Sequence, residues 1–190
     1  MSEIGELFRR HVCQTSAAPL GLEVARAAGA TVWDTGGHAW LDLLAGMGVA
    51  NVGHAHPEVI AAVRAQAERY LHVMVYGEFV QEAQVRLAAR LAGLLPPALS
   101  VVYFTSSGAE AIEGALKTAR TATGRTGLVA FEGSFHGDTL GALSIGGNPV
   151  YRAPFEPLLP DVTFLPFGDV ASLGTIDARM EASEQSLGTL

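Results

Sequence analysis

Hydrophobic positions in the first hundred residues follow two different spacings. Residues 31–42 (TVWDTGGHAWLD) place apolar side chains on both sides of a Thr-Gly-Gly turn, which predicts a β-hairpin. Further along, apolar residues recur at helical spacing in two segments. They predict one helix that begins at Pro57 and includes Leu71, and a second helix over residues 79–94. The glycine-rich residues 43–57 between hairpin and first helix are predicted to form a loop.

In the second half of the chain the pattern changes to short, continuous apolar runs. Residues 101–104 (VVYF), 127–131 (GLVAF) and 162–167 (VTFLPF) are predicted to be buried strands, and residues 107–122 a helix. Strands that alternate with helices are typical of a parallel α/β sheet, so we expect an α/β fold. The segment after Asp177 is polar and lacks a terminating element, so we expect the front part of a longer protein.

The composition indicates a folded protein and excludes several kinds of partner. Hydrophobic residues make up 49% of the 190 residues, which is enough to build a core. The formal net charge of −7 argues against nucleic-acid and anionic-membrane partners, which require clustered lysine and arginine. No stretch approaches the roughly 18 apolar residues of a membrane span. Cys13 is the only cysteine, so no internal disulfide is possible, and a reducing cytoplasm is expected.

The junction between the predicted strand 101–104 and the following helix is a candidate anion site. Ligands of parallel sheets bind beyond the carboxyl ends of strands, where a helix N-terminus offers unpaired N–H groups. Ser106, Ser107 and Gly108 suit a phosphate at such a position. The simpler interpretation is that one of the two serines only caps the helix. The local sequence favours this simpler interpretation.

The stretch FEGSFHGDTLGALS (131–144) is a second candidate, because it also follows a predicted strand. A flat cofactor needs a stacking ring, which Phe135 can supply. Alternatively, Phe135 belongs to the core and His136 is a hydrogen-bonded loop residue.

Two other groups of residues are expected to carry no chemistry. His54 and His56 are two positions apart and lack a third ligand, so no metal site is expected. Lys117 is the only lysine of the chain, and it follows Glu113 at the i, i+4 spacing of a surface ion pair on a helix.

Taken together and in this order, three stretches resemble one known family. Residues 53–63 (GHAHPEVIAAV), 105–120 (TSSGAEAIEGALKTAR) and 135–144 (FHGDTLGALS) look like the front half of class III pyridoxal-phosphate aminotransferases of fold type I. This group includes the ornithine, acetylornithine and 4-aminobutyrate aminotransferases. The hairpin and glycine-rich loop at residues 31–54 are also similar, and the resemblance extends over about residues 20–177.

The resemblance implies a domain organisation. Residues 1–50 would form an N-terminal helix and β-hairpin segment of the small domain. Residues 51–190 would form the first part of the large domain, which binds pyridoxal 5'-phosphate (PLP) on a mixed, mainly parallel sheet and is incomplete here.

The resemblance also implies roles for individual residues. Backbone N–H groups of the Ser-Gly-Ala motif would hold the cofactor phosphate, Phe135 would stack on the pyridine ring, and His136 belongs to the same motif. The implied cofactor-binding residues are Ser107, Gly108, Ala109, Phe135 and His136. The glycine-rich loop would lie near the substrate, and the implied substrate residues there are Met47, Gly48 and Val49.

Asp138 departs from the acetylornithine-type pattern of the family. That pattern reads His-Gly-Arg-Thr, and its arginine binds a substrate carboxylate. An aspartate would repel a carboxylate and favour an amine, so we do not expect acetylornithine as substrate. Other branches of the family carry aspartate at this position.

The implied activity is amino-group transfer between an amine or amino acid and a 2-oxo acid, by a homodimer when full length. In the family this requires a Schiff-base lysine and an aspartate on the pyridine nitrogen, both of which lie beyond residue 190. We therefore expect the 190-residue chain to contain no catalytic residue and to be inactive alone. Alternatives are a truncated gene remnant, another activity of the same fold such as an aminomutase or decarboxylase, and a nucleotide-binding α/β module.

Overall fold

The computed structural model describes residues 2–74, 77–174 and 176. The chain divides into two compact units, Met1–Val80 and Gln81–Leu190. The expected division at residue 50 concerns the domains of a whole enzyme and stays a prediction. No helix among the described residues is both long enough and apolar enough to cross a bilayer.

The first unit begins with helix α1 (Glu3–His11), whose N-terminus is capped by the Ser2 hydroxyl. A three-stranded antiparallel sheet follows, with strands in the order β1-β2-β3. Its strands are β1 (Val24–Ala28), β2 (Thr31–Asp34) and β3 (Ala39–Leu41). The predicted hairpin is therefore confirmed, and β1 is a strand that the sequence pattern did not predict.

The side chain of Asp34 closes the β2–β3 turn. Its carboxylate accepts the backbone N–H of His38 and the indole N–H of Trp40, both at 2.9 Å. These donors join the two ends of the turn, so the Asp-Thr-Gly-Gly sequence forms a fixed connection between the strands.

Helix α2 (Ala45–Gly48) is a single irregular turn inside the predicted loop, with left-handed backbone at Gly46 and Met47. Helix α3 (Pro57–Arg69) begins at the proline as predicted.

The second unit contains the parallel part of the fold. Helix α4 (Glu82–Ala92) lies within the predicted range 79–94. Its C-cap is Gly93, so the helix ends before the proline pair. The remaining elements are α5 (Gly108–Thr123), β4 (Leu128–Phe131), α6 (Leu140–Ser144), α7 (Pro149–Arg152) and β5 (Val162–Leu165). Strands β4 and β5 pair in parallel, and the connection between them carries α6 and α7. The expected α/β arrangement is therefore confirmed.

The predicted strand at residues 101–104 is wrong for the described structure. None of these residues is assigned to a strand, and the described sheet of this unit contains only β4 and β5. Val101 and Tyr103 are exposed. Strand structure requires ladder hydrogen bonds to a neighbour, and no described segment supplies them here.

The core of the second unit is small and surrounds α6. The buried hydrophobic side chains of the described residues are Ala130, Ala142, Leu143 and Leu165. Ser144 is the buried polar residue of this group, and its hydroxyl donates to Leu140 and accepts the N–H of Leu159. Helix α6 and the turn before it are therefore well fixed, which matters for the loop that leads into them.

Candidate functional site

The N-terminus of α5 is capped by its own side chains. The Ser107 hydroxyl accepts the N–H of Glu110 at 3.1 Å, and the Glu110 carboxylate accepts the N–H of Ser106 at 2.7 Å. This reciprocal arrangement closely resembles a capping box. The capping interpretation of Ser107 is therefore correct, but it uses only the acceptor capacity of the hydroxyl.

Two backbone donors at the same helix end remain open. Within the described part of the chain, the N–H groups of Gly108 and Ala109 meet no acceptor. Gly108 is exposed, and a Cβ at this position would have no atom within 4 Å. The protein thus leaves two N–H groups without an acceptor among the described residues, at the positive end of a helix of 16 residues and beside an exposed glycine. These residues fit a phosphate group.

The loop that contains Phe135 and His136 contacts the first turn of α5. Gly137 has a φ of 124°, and a Cβ there would lie 2.6 Å from the Cβ of Ala109. Glycine is therefore required both by the backbone conformation and by this close approach. Phe135 and His136 directly precede Gly137, so this contact brings the backbone next to them against Ala109, one of the two residues with an open N–H group.

Phe135 is not a core residue, contrary to the alternative considered from the sequence. Its side chain is 65% exposed, whereas His136 is half-buried. Asp138 is exposed on the same loop. An exposed aromatic ring on a loop that packs against the candidate anion site is available to stack on a planar ligand.

Glu113 is a residue of this region whose contacts the sequence did not indicate. The expected pair with Lys117 is only a weak electrostatic interaction, and the Glu113 carboxylate accepts the N–H of Gly141 at 3.0 Å. The hydroxyl of Thr139 lowers the pKa of Glu113 most, the N–H groups of Gly141 and Ala142 add to this, and Lys117 contributes least. No local signal could have revealed this contact, because its partners are 28 positions apart.

The lowered pKa has a consequence for stability. Glu113 binds its donors as a carboxylate, so its contribution is complete above its ordinary pKa of 4.5. This contribution is lost as the pH falls through the lower pKa of the folded state.

The predicted substrate residues Met47, Gly48 and Val49 lie in the first unit, in and just after the irregular turn α2. Met47 and Val49 are strongly exposed. The loop is held at both ends by Asp42, which accepts N–H groups of Leu44 and Ala45 and pairs with His54 at 2.6 Å. His54 therefore has a structural partner.

Comparison with known proteins assigns these features to one family. A sequence profile described as Aminotransferase class-III matches residues 12–190. The acetylornithine aminotransferase of Methanopyrus kandleri is 46% identical over 142 residues, which are 75% of this chain and 36% of that protein.

Solved structures agree with the sequence comparison. A thermostable (S)-enantioselective omega-transaminase from Thermomicrobium roseum superposes with a TM-score of 0.80 at 29% identity, over 97% of this chain and 46% of the other. The ornithine aminotransferase of Toxoplasma gondii, described with partial occupancy of PLP at its active site, gives a TM-score of 0.74 at 30% identity. This superposition covers 91% of the present chain and 41% of the ornithine aminotransferase. The chain thus spans less than half the length of each of these relatives, and by the match of almost its whole sequence it belongs to the class-III aminotransferase family.

Proposed function

We propose that this chain forms the phosphate-binding and ring-stacking part of a PLP-dependent aminotransferase, which transfers an amino group between an amine or amino acid and a 2-oxo acid. One observation carries the proposal. Two N–H groups at the start of α5 have no acceptor among the described residues, and the exposed Phe135 lies two residues before Gly137, which packs against Ala109 in the same helix turn. Family membership and the PLP of the Toxoplasma gondii relative support the same cofactor.

Each residue has a separate task in this proposal. The N–H groups of Gly108 and Ala109 would bind the phosphate. The Ser107 hydroxyl, which accepts the N–H of Glu110, would donate its proton to a phosphate oxygen. The ring of Phe135 orients the pyridine ring by stacking, and His136 lies beside it. When bound, the cofactor supplies an electron sink for chemistry at the substrate α-carbon.

Asp138 is proposed to influence the choice of amino donor. Its carboxylate is exposed on the loop that carries the stacking ring, so it places a negative charge toward ligands that approach this loop. A donor with a carboxylate there is repelled, whereas an amine is attracted. Met47, Gly48 and Val49 are proposed as further substrate contacts. We propose that the complete protein is a cytoplasmic homodimer.

Binding of pyridoxamine 5'-phosphate tests the proposal. This compound has no aldehyde and therefore binds without a covalent bond to lysine. We expect its fluorescence to report saturable binding, at least tenfold tighter than that of phosphate-free pyridoxamine. Equal affinities for the two compounds would contradict a phosphate site at α5. Displacement by ADP at lower concentration than by pyridoxamine phosphate would favour the nucleotide-binding alternative.

We further expect that a polypeptide of these 190 residues does not catalyse transamination. Lys117, the only lysine, lies nine residues after Gly108, roughly 13 Å along the helix axis at about 1.5 Å per residue. It is exposed and far from the open N–H groups. The measurement is borohydride reduction of the chain with PLP, followed by peptide mapping. A stoichiometric adduct on Lys117, together with turnover by chain free of host aminotransferases, would overturn this expectation.

A further inference from the structure

The turn that precedes α6 is held by a side chain of another helix. The Glu113 carboxylate of α5 accepts the N–H of Gly141, and the Thr139 hydroxyl and the N–H groups of Gly141 and Ala142 lower the pKa of Glu113. Gly141 and Ala142 belong to the first turn of α6, where a helix leaves its backbone N–H groups unsatisfied. Helix α6 therefore has two capping groups at its N-terminus. Thr139 is the local cap, and its hydroxyl accepts the N–H of Ala142 at 3.4 Å. Glu113 is a second capping group that belongs to another helix, α5.

The close approach of α5 and α6 depends on a missing side chain. Gly141 is buried, and a Cβ at this position would overlap the carboxylate of Glu113. An ordinary residue would push α6 away from α5 or displace the carboxylate. Gly141 leaves the space that the Glu113 carboxylate occupies, and the Gly141 N–H donates to that carboxylate.

This contact is a second point at which the segment 137–141 approaches α5 closely. The first is Gly137 against Ala109, next to the open N–H groups. The second is Gly141 against Glu113, four residues later on both segments.

A loop attached at one point can pivot about it, whereas attachment at two points fixes its orientation. Ser134 adds a restraint, since its hydroxyl donates to the carbonyl of Phe131 and accepts the N–H of Gly147. Together with Ser134, the second contact therefore restrains the backbone that carries Phe135 relative to the open N–H groups.

We propose that Glu113 is a positioning residue that sets the geometry between the ring-stacking and phosphate-binding parts of the site. The inference rests on the proposed function, since it assumes one ligand that uses both parts. Among the described residues, the Glu113 carboxylate has no hydrogen bond to Gly108, Ala109 or Phe135, and it acts through Gly141. Its loss should weaken a ligand that needs both parts and leave a bare phosphate unaffected.

The test compares two ligands on three variants. Glu113→Ala removes the acceptor, Glu113→Gln keeps a neutral acceptor for the Gly141 N–H, and Thr118→Ala is the control on an exposed position of α5. The dissociation constant of pyridoxamine phosphate is expected to rise at least tenfold in Glu113→Ala and less in Glu113→Gln, with no change in Thr118→Ala. Inorganic phosphate, followed by amide chemical shifts of Gly108 and Ala109, is expected to bind all variants equally.

Hydrogen exchange of the ligand-free chain provides an independent readout. The amides of Gly141 and Ala142 are expected to exchange faster in Glu113→Ala than in the wild type and to be partly protected again in Glu113→Gln. Equal loss of affinity for both ligands would show a general structural role and overturn the inference, as would unchanged pyridoxamine phosphate affinity in Glu113→Ala. Failure of the wild type to bind pyridoxamine phosphate would instead overturn the proposed function, and this inference with it.

Discussion

Replacement of Gly108 by aspartate is expected to weaken the binding of pyridoxamine phosphate on the order of 100-fold and to leave α5 at least as stable as before. Gly108 is the first residue of α5, and a Cβ added there meets no atom of another segment within 4 Å. Its φ lies outside the left-handed region, so a non-glycine residue is accommodated without strain. An acidic residue in the first helical turn interacts favourably with the helix dipole by about 0.3–1 kcal/mol.

The same substitution places a carboxylate where the phosphate is proposed to bind. Two unit charges about 4 Å apart repel each other by roughly 4 kcal/mol near a protein surface and by about 1 kcal/mol in bulk water. An intermediate value of about 3 kcal/mol corresponds to a loss of affinity on the order of 100-fold. Ligand affinity and helix stability should therefore change in opposite directions.

The measurement combines a fluorescence titration of pyridoxamine phosphate with thermal unfolding followed by circular dichroism. Gly108→Asn is the matched control, because asparagine has the shape of aspartate without its charge. We expect this variant to lose clearly less affinity than Gly108→Asp. Equal losses in the two variants would attribute the effect to size, and wild-type affinity in Gly108→Asp would place the phosphate elsewhere.

Replacement of Gly137 by alanine is expected to destabilise the second unit by on the order of 2–4 kcal/mol, the sum of a strained backbone and an overpacked contact. The φ of 124° is unfavourable for any residue with a Cβ. The added methyl group would also lie 2.6 Å from the Cβ of Ala109 and 3.1 Å from its Cα. Neither segment can easily yield, because one is the start of a 16-residue helix and the other leads into buried α6.

Urea unfolding monitored by circular dichroism measures this cost, and two further variants separate its causes. Gly133→Ala also introduces a Cβ at positive φ, here 73°, but meets no atom within 4 Å. It should cost only the backbone strain of about 1 kcal/mol. The double variant Gly137→Ala/Ala109→Gly removes one of the two overlapping methyl groups and should recover part of the loss. A Gly137→Ala variant no less stable than Gly133→Ala would show that the loop does not pack against α5.

Several features of the fold and the site were predictable because they depend on neighbouring residues. Ser107 caps α5 through a residue three positions away, and Gly124 ends the helix with a left-handed backbone at φ 68°. The β2–β3 hairpin and the start of α3 at Pro57 follow from equally local rules. The motifs that carry the family resemblance lie in these same segments.

The predictions that the structure corrected concern contacts between distant parts of the chain. Residues 101–104 have the composition of a strand, but composition cannot supply the neighbour that a strand needs. Glu113 and Lys117 have the spacing of an ion pair, but the carboxylate has better donors at Gly141. The exposure of Phe135 depends on how its loop lies on α5, which the aromatic character of the residue does not reveal.

The sequence by itself indicated the start of α3, the Ser107 cap of α5, the hairpin, the alternation of strands and helices, and the family. The caps and the hairpin depend on hydrogen bonds and side-chain spacing within a few residues, which a short stretch of sequence specifies. Only the tertiary structure decided that Gly137 and Gly141 are contact positions and that Glu113 joins α5 to α6. Such contacts arise where two elements approach each other, and that approach is determined by the packing of the whole unit rather than by either segment alone.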